Sequence, residues 1–208
     1  EQVGRVVAAL EKKGLRDNTL ILFQSDNGGT RNPMFAGVMA DMSKAVIPCD
    51  NAPFREGKGT LYEAGTRVCA FANWPGHIEP GRIDEIIHVV DLYPTLASLA
   101  GAPTERCLPL DGVNAWSTIA RGAASSRSEV VYNIEPFRAA VRQGKWKLIW
   151  RTTLPSSIEL YDLSTDPSEE HNRASEHPEI VAALQRRIES LAKEAVKPLF
   201  LVDQFKVV

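Results

Sequence analysis

Long apolar runs, charge of one sign and closely spaced cysteines are all missing from this sequence. No apolar run approaches the roughly 20 residues a helix needs to cross a bilayer, so no membrane span is expected. The 24 basic residues stand against 26 acidic ones, a formal charge of −2, and no like-charge block stands out. That removes the electrostatic footprint of a partner for nucleic acid or an anionic membrane, and favours small or weakly charged partners. The three cysteines, Cys49, Cys69 and Cys107, are widely spaced. With no Cys-x-x-Cys and no His at zinc-ligand spacing they read as buried or loop thiols, and an odd count leaves the redox compartment open.

What is present is an ordinary globular composition. A chain of 208 residues with 44% hydrophobic and 24% charged residues can bury the core of one large or two small domains. The opening residues carry no leader of basic then apolar segments. Val3, Val6, Val7 and Leu10 make a helical stripe, with Lys12 and Lys13 at its end and Gly14 to cap it. Position 1 therefore falls inside a helix, and the expectation is a piece of a longer chain.

Leu20, Ile21, Leu22 and Phe23 form a continuous apolar run, which reads as a buried strand over 18–25. Helix, short loop and buried strand make an α/β signature. Residues 28–65, rich in Gly, Pro and Asn, read as long loops over one end of the sheet, and loops of that length in a compact domain are usually functional. Further short strands are expected over 68–74 and 86–90. Asp91 reads as the N-cap of a helix with Pro94 in its first turn, Leu92, Leu96 and Leu99 inward, and Gly101 past its end. Composition shifts to Gly, Ala, Ser and Arg over 121–128, which predicts domains at 1–125 and 126–208. In the second, strands over 130–134, 139–150 and 158–163 with short connections predict an antiparallel sheet. A helix with Pro178 in its first turn, and Ile180, Leu184, Ile188, Leu191 and Ala195 along one face, closes it. Residues 199–208 are ambiguous between a packed extension and a strand.

Two constellations could carry chemistry. Ser25-Asp26-Asn27-Gly28-Gly29 stands where a strand ends, the edge at which open α/β sheets bind ligands. A carboxylate beside an amide carbonyl offers the hard oxygens that Ca²⁺ or Mg²⁺ takes, though the string is also plain turn chemistry. Phe54-Arg55-Glu56-Gly57-Lys58-Gly59-Thr60 sets a lysine between glycines, an ammonium suited to an oxyanion of sulfate or phosphate, or a solvated loop lysine. It is not a nucleotide P-loop, because Ala52 stands where Gly is required and Gly59 follows Lys58 in place of Ser or Thr. His88 reads as structural beside Asp91. His77, His171 and His177 read as loop or turn residues, and Trp74, Trp116, Trp146 and Trp150 as core or subunit packing, with an exposed Trp near the sheet edge as the lesser alternative to line a sugar site.

Taken together, Asp26-Asn27-Gly28-Gly29 and the run from Gly57-Lys58-Gly59-Thr60-Leu61-Tyr62-Glu63 to Arg67-Val68 resemble the sulfatase family of the alkaline phosphatase superfamily. Ile87-His88-Val89-Val90-Asp91-Leu92-Tyr93-Pro94, Leu110-Asp111-Gly112-Val113, Lys145-Trp146-Lys147-Leu148, Leu160-Tyr161-Asp162-Leu163 and Asp166-Pro167 with Glu169 and Asn172 continue the match in order. The run is most similar to arylsulfatase B-like members. The resemblance implies an α/β, alkaline phosphatase-like sandwich followed by a small α+β subdomain with an antiparallel sheet and a C-terminal helix. It implies that Asp26 and Asn27 are two ligands of Ca²⁺ (Mg²⁺ is the other candidate) and that Lys58 contacts the sulfate group. It also implies a formylglycine nucleophile, made from the Cys of a Cys-x-Pro-Ser-Arg motif. That motif is not in this sequence: Cys107-Leu108-Pro109-Leu110-Asp111 lacks the Ser and Arg. The nucleophile and the remaining ligands are expected upstream, and the chain alone should be inactive. Substrates would be aryl or carbohydrate sulfate esters, in an exported or lysosomal setting, with oligomeric state left open. The rivals are a phosphate or phosphonate ester hydrolase of the same superfamily, and a non-catalytic protein that binds sulfated ligands.

Overall fold

The computed structural model describes residues 1–31, 49–103 and 108–195, so Cys107 and 199–208 lie outside the described residues. The elements run α1 (Gln2–Lys12), β1 (Ile21–Gln24), α2 (Glu63–Thr66), β2 (Ala70–Asn73), α3 (Leu92–Leu99), α4 (Trp116–Arg121), β3 (Glu129–Ile134), β4 (Arg138–Gln143), β5 (Trp146–Arg151), β6 (Ser157–Asp162) and α5 (Pro178–Glu194). They form two compact units that interleave in sequence: residues 1–26 with 68–128, and 27–67 with 129–208. The chain passes from the first to the second between Ser128 and Glu129, just beyond the shift in composition. Residues 27–67 group with the C-terminal unit. Among the described residues no helix is long and apolar enough to cross a membrane.

In unit 1, β1 and β2 pair antiparallel, with Phe23 opposite Phe71. The two rings stack at 4.9 Å. The expected burial of this strand is not found: Leu22, Phe23 and Phe71 remain 36%, 42% and 46% exposed. A two-stranded ribbon has no second layer to bury its faces. No strand forms over 86–90. His88 instead accepts a hydrogen bond from Val90 N through Nδ1, and Asp91 accepts one from His88 N. The reciprocal caps close a 3₁₀ turn at Val89–Asp91. Helix α3 starts after Asp91 as expected, but the Asp91 side chain makes no cap hydrogen bond to it; Gly101 lies past its end in the left-handed region at φ +63°. Its buried residue is Thr95, while Leu96 and Leu99 stay exposed.

The Asp91 carboxylate faces inward and accepts from Val113 N at 2.8 Å and from Arg127 Nε at 2.8 Å. Arg127 also donates to Asp111 O. The Leu-Asp-Gly segment is thereby tied to the start of α3. Gly112 fits because a Cβ there would stand 2.1 Å from Val90 O. Burial pushes the Asp91 carboxyl up, but Arg127 and the N–H groups of Val113 and His88 more than offset it, holding the group below the usual carboxylate range.

Unit 2 is built on the antiparallel sheet β3-β4-β5-β6. Gly144, at φ +56°, makes the β4–β5 turn that splits the apolar run over 139–150. Because side chains alternate, β4–β6 bury two faces. On one, Ala139, Val141, Leu148 and Leu160 pack against Val181, Leu184 and Ile188 of α5. On the other, Ala140, Ile149 and Tyr161 pack against Leu61, with Tyr62 and Tyr132 at the margin. The Gly-Lys-Gly segment therefore continues directly into the residues that cover this second face.

Candidate functional site

The two motifs come together through their backbones within unit 2. Gly28 N donates to Gly65 O and Lys58 N to Gly29 O, both at 3.1 Å. Asn51 clamps the junction, accepting from Gly29 N at 3.0 Å and donating to Gly29 O and Glu56 O at 2.9 Å each. This proximity requires glycine. A Cβ on Gly28 would stand 1.5 Å from Ala64 O, and one on Gly57 would stand 2.2 Å from Gly29 O.

Lys58 sits at a corner. Thr60 N and Thr60 Oγ1 both donate to Gly57 O, at 3.1 and 2.8 Å, which closes a turn over 57–60. Gly59 at φ +87° supplies the positive φ that the third position of a type II turn needs. Lys58 is thus held by its main chain while its side chain is exposed. Glu56, with φ +65°, lies in the left-handed region just before the turn. A non-glycine residue there costs on the order of 1 kcal/mol or more, and such strain concentrates at functional loops. Asn51 Nδ2 on the Glu56 carbonyl helps to hold it.

Asp26 is exposed and follows the end of β1 in unit 1. Asn27 opens the segment in unit 2 and donates from Nδ2 to Gly28 O at 2.8 Å. Among the described residues no group of three or more His, Cys, Asp or Glu side chains could hold a metal. As a donor set, a carboxylate and an amide carbonyl suit a hard cation, but they are two of the six to eight oxygens that Ca²⁺ takes. His88 serves as a cap in unit 1, and His177 precedes α5 while packing its ring on Trp146 at 4.7 Å.

Sequence reasoning missed the polar cluster beneath the Lys58 loop. Lys147, fully buried, lies 3.0 Å from Glu63 Oε1 and 2.8 Å from Glu169 Oε1. The second contact is an ion pair without a directed hydrogen bond. Tyr132 donates to Glu63 Oε1 at 2.6 Å, and its ring lies 4.1 Å from the Lys147 ammonium. Tyr132 occupies an irregularity in the β3–β4 register, between Val131 and Asn133. A bulge of this kind re-aims a side chain. Burial pushes both carboxyls up. At Glu63 the ammonium, the tyrosine and Arg67 more than offset it and leave the group below its ordinary value, whereas at Glu169 burial prevails and the group lies above it. The available signal was Lys147 itself, an inward-facing position between Trp146 and Leu148 in a buried strand.

A second set surrounds Glu159, which accepts from Tyr62 at 2.8 Å and Tyr161 at 2.6 Å and pairs with Arg151. The segment that presents Glu169 is ordered by its own side chains. Asp166 accepts from Glu170 N and His171 N, and Asn172 accepts from Leu160 N and Ala174 N. The Asp-Pro, Glu and Asn positions of the motif thus serve the loop after β6.

Comparison with known proteins gives a consistent result. A family described as "Sulfatase" matches residues 1–102, and one described as "N-sulphoglucosamine sulphohydrolase, C-terminal" matches residues 56–194. Arylsulfatase J of Mus musculus is 28% identical over 94% of this chain and 38% of its own length. Arylsulfatase A of Homo sapiens is 34% identical over 88% of this chain and 40% of its own. Among solved structures, Ps i-CgsB, also crystallised with k-i-k-neocarrahexaose, is 31% identical, with a TM-score of 0.77 over 95% of this chain and 41% of that one. The chain therefore spans about two fifths of the length of these relatives. Matches this extensive, with a mixed α/β fold that ends in an antiparallel sheet and a helix, place the chain in the sulfatase family.

Proposed function

We propose that the full-length protein hydrolyses sulfate esters of aryl or carbohydrate alcohols, with Lys58 holding the sulfate group and Asp26 and Asn27 supplying two oxygen ligands to Ca²⁺. The observation that supports this most is the joining of the two glycine-flanked segments around Asn51, which sets the backbone of Lys58 against that of the segment opened by Asn27. An exposed ammonium on a rigid corner can offset charge on sulfate oxygens without reorganising. The hard oxygens of Asp26 and Asn27 fit a calcium ion, and the other ligands would come from parts of the protein outside this chain. A formylglycine, likewise outside this chain, would supply the covalent nucleophile. The relatives named arylsulfatase favour small aryl sulfates as first substrates, and the neocarrahexaose complex of Ps i-CgsB favours saccharides as the second class to try.

The test is the native protein, purified at its full length and mapped by mass spectrometry for a Cys-to-formylglycine conversion. Turnover of an aryl sulfate, lost on chelation and reduced at least about 100-fold by Lys58→Ala, is the expected result for a donor of this kind. Turnover of phosphate or phosphonate esters in preference to sulfate esters would establish the rival hydrolase. A folded, unmodified protein that binds sulfated ligands without turnover would establish a binding role.

A further inference from the structure

Lys58 sits between two anchors that belong to the same distant residue. Before it in the chain, Arg55 Nη1 donates to Glu169 O at 2.9 Å; after it, Glu63 N donates to Glu169 Oε2 at 2.5 Å. Glu169 itself is fixed. Its backbone is in the left-handed region at φ +55°, its side chain is fully buried, and its second carboxylate oxygen faces the Lys147 ammonium. Helix α2, which begins at Glu63, is also the floor of the other motif, since Gly28 N bonds Gly65 O and Gly28 has no room for a Cβ over Ala64 O. Displacing Glu63 would therefore move both segments.

From this arrangement we infer that Glu169, held by Lys147, is a positioning residue that staples both ends of the lysine-bearing segment and so fixes where Lys58 meets an anion. The inference rests on the proposed role of Lys58. None of the cluster's charges can touch a substrate, because Glu63, Lys147 and Glu169 are all buried. Stability alone is a poor reason for the cluster, since buried ion pairs are often no better than apolar packing of the same volume. The directional bonds of a carboxylate to a backbone N–H supply what apolar packing lacks, a defined height and register for the segment.

The experiment uses the full-length enzyme with a small aryl sulfate as substrate and inorganic sulfate as competing anion. Glu169→Gln keeps the shape and removes the charge. It is expected to raise the inhibition constant for sulfate about tenfold and lower kcat about tenfold, with metal and formylglycine contents unchanged. Glu129→Gln, which breaks the pair of Glu129 with Arg187 in the same unit, is the stability control and should leave both constants near wild type. In the double variant Lys58→Ala with Glu169→Gln, the second substitution should add less than about twofold, because a residue that acts through Lys58 has little left to act on. Full additivity, or losses that simply track melting temperature in both glutamate variants, overturns the inference. If Glu169→Gln does not fold, Tyr132→Phe removes only the hydroxyl bond to Glu63 and should shift the sulfate constant about threefold; no shift overturns it. Should Lys58→Ala leave sulfate inhibition unchanged, the role of Lys58 fails first, a result distinct from a failure of Glu169 alone.

Discussion

In unit 2 both faces of the four-stranded sheet are covered, by α5 on one side and by the residues after Lys58 on the other, and Val141, Leu148, Ile149 and Leu160 are all fully buried. In unit 1 the ribbon β1–β2 leaves its stacked phenylalanines about half exposed, and the most buried of the described residues are Asp91 and Thr95, followed by Thr118 and Ala120. Unit 2 has an apolar core on each face of its sheet, with the buried Glu63–Lys147–Glu169 cluster beside one of them, whereas the fully buried charged group of unit 1 is the single carboxylate of Asp91. The contrast separates two properties that an apolar run is often taken to report together. The run states what a segment prefers to touch; burial depends on whether a second layer reaches it.

Removing Arg127 should leave Asp91 buried without its cation. Arg127→Met is expected to destabilise unit 1 by about 3–5 kcal/mol in denaturant unfolding. In the apolar core of unit 2, Leu148→Ala should cost about 2–5 kcal/mol through transfer and cavity terms. Leu22→Ala in unit 1 of the same 208-residue chain should cost under about 1 kcal/mol. A loss as large as that of Leu148→Ala would erase the distinction between the units.

Acid should separate them by sign. The Asp91 carboxyl is held below its ordinary range, so its contribution is fully present above about pH 4 and is lost as pH falls through the lower folded value. Asp91→Asn should flatten that acid limb. Glu169 lies above its ordinary range, so its ionised form is a liability at neutral pH that protonation relieves as pH falls toward the raised value. Glu169→Gln should accordingly change the slope in the opposite direction, read from unfolding midpoints across pH. The smallest effect is expected at the surface, where Arg187→Ala, removing a partly exposed pair with Glu129, should cost under about 1 kcal/mol.

Local signals in the sequence carried the second unit well. Gly144 divides β4 from β5, Pro178 opens α5, and Leu184 and Ile188 lie where the helical stripe predicts. They also identified Asp26, Asn27 and Lys58 as candidates, because glycine beside a polar residue signals close backbone approach. They failed where a local pattern has two solutions. Residues 86–90 are apolar enough for a strand, but His88 and Asp91 satisfy the backbone within a 3₁₀ turn. Leu96 and Leu99 obey the helical period and yet face outward. Nor could spacing reveal that Glu63, Lys147 and Glu169 meet, since contacts between residues 84 and 106 positions apart leave no trace in either neighbourhood.

That separation has a consequence for how the molecule is made. Ribosomes add about 5–20 residues per second, so Glu63 emerges roughly 4–20 s before Lys147 and Glu169 exist to receive it. Throughout that interval the nascent Lys58 segment has neither of its anchors, and the residues of the intervening unit must be accommodated before the loop can close. The corner that carries Lys58 thus cannot be anchored until Glu169, 106 residues beyond Glu63, has been made.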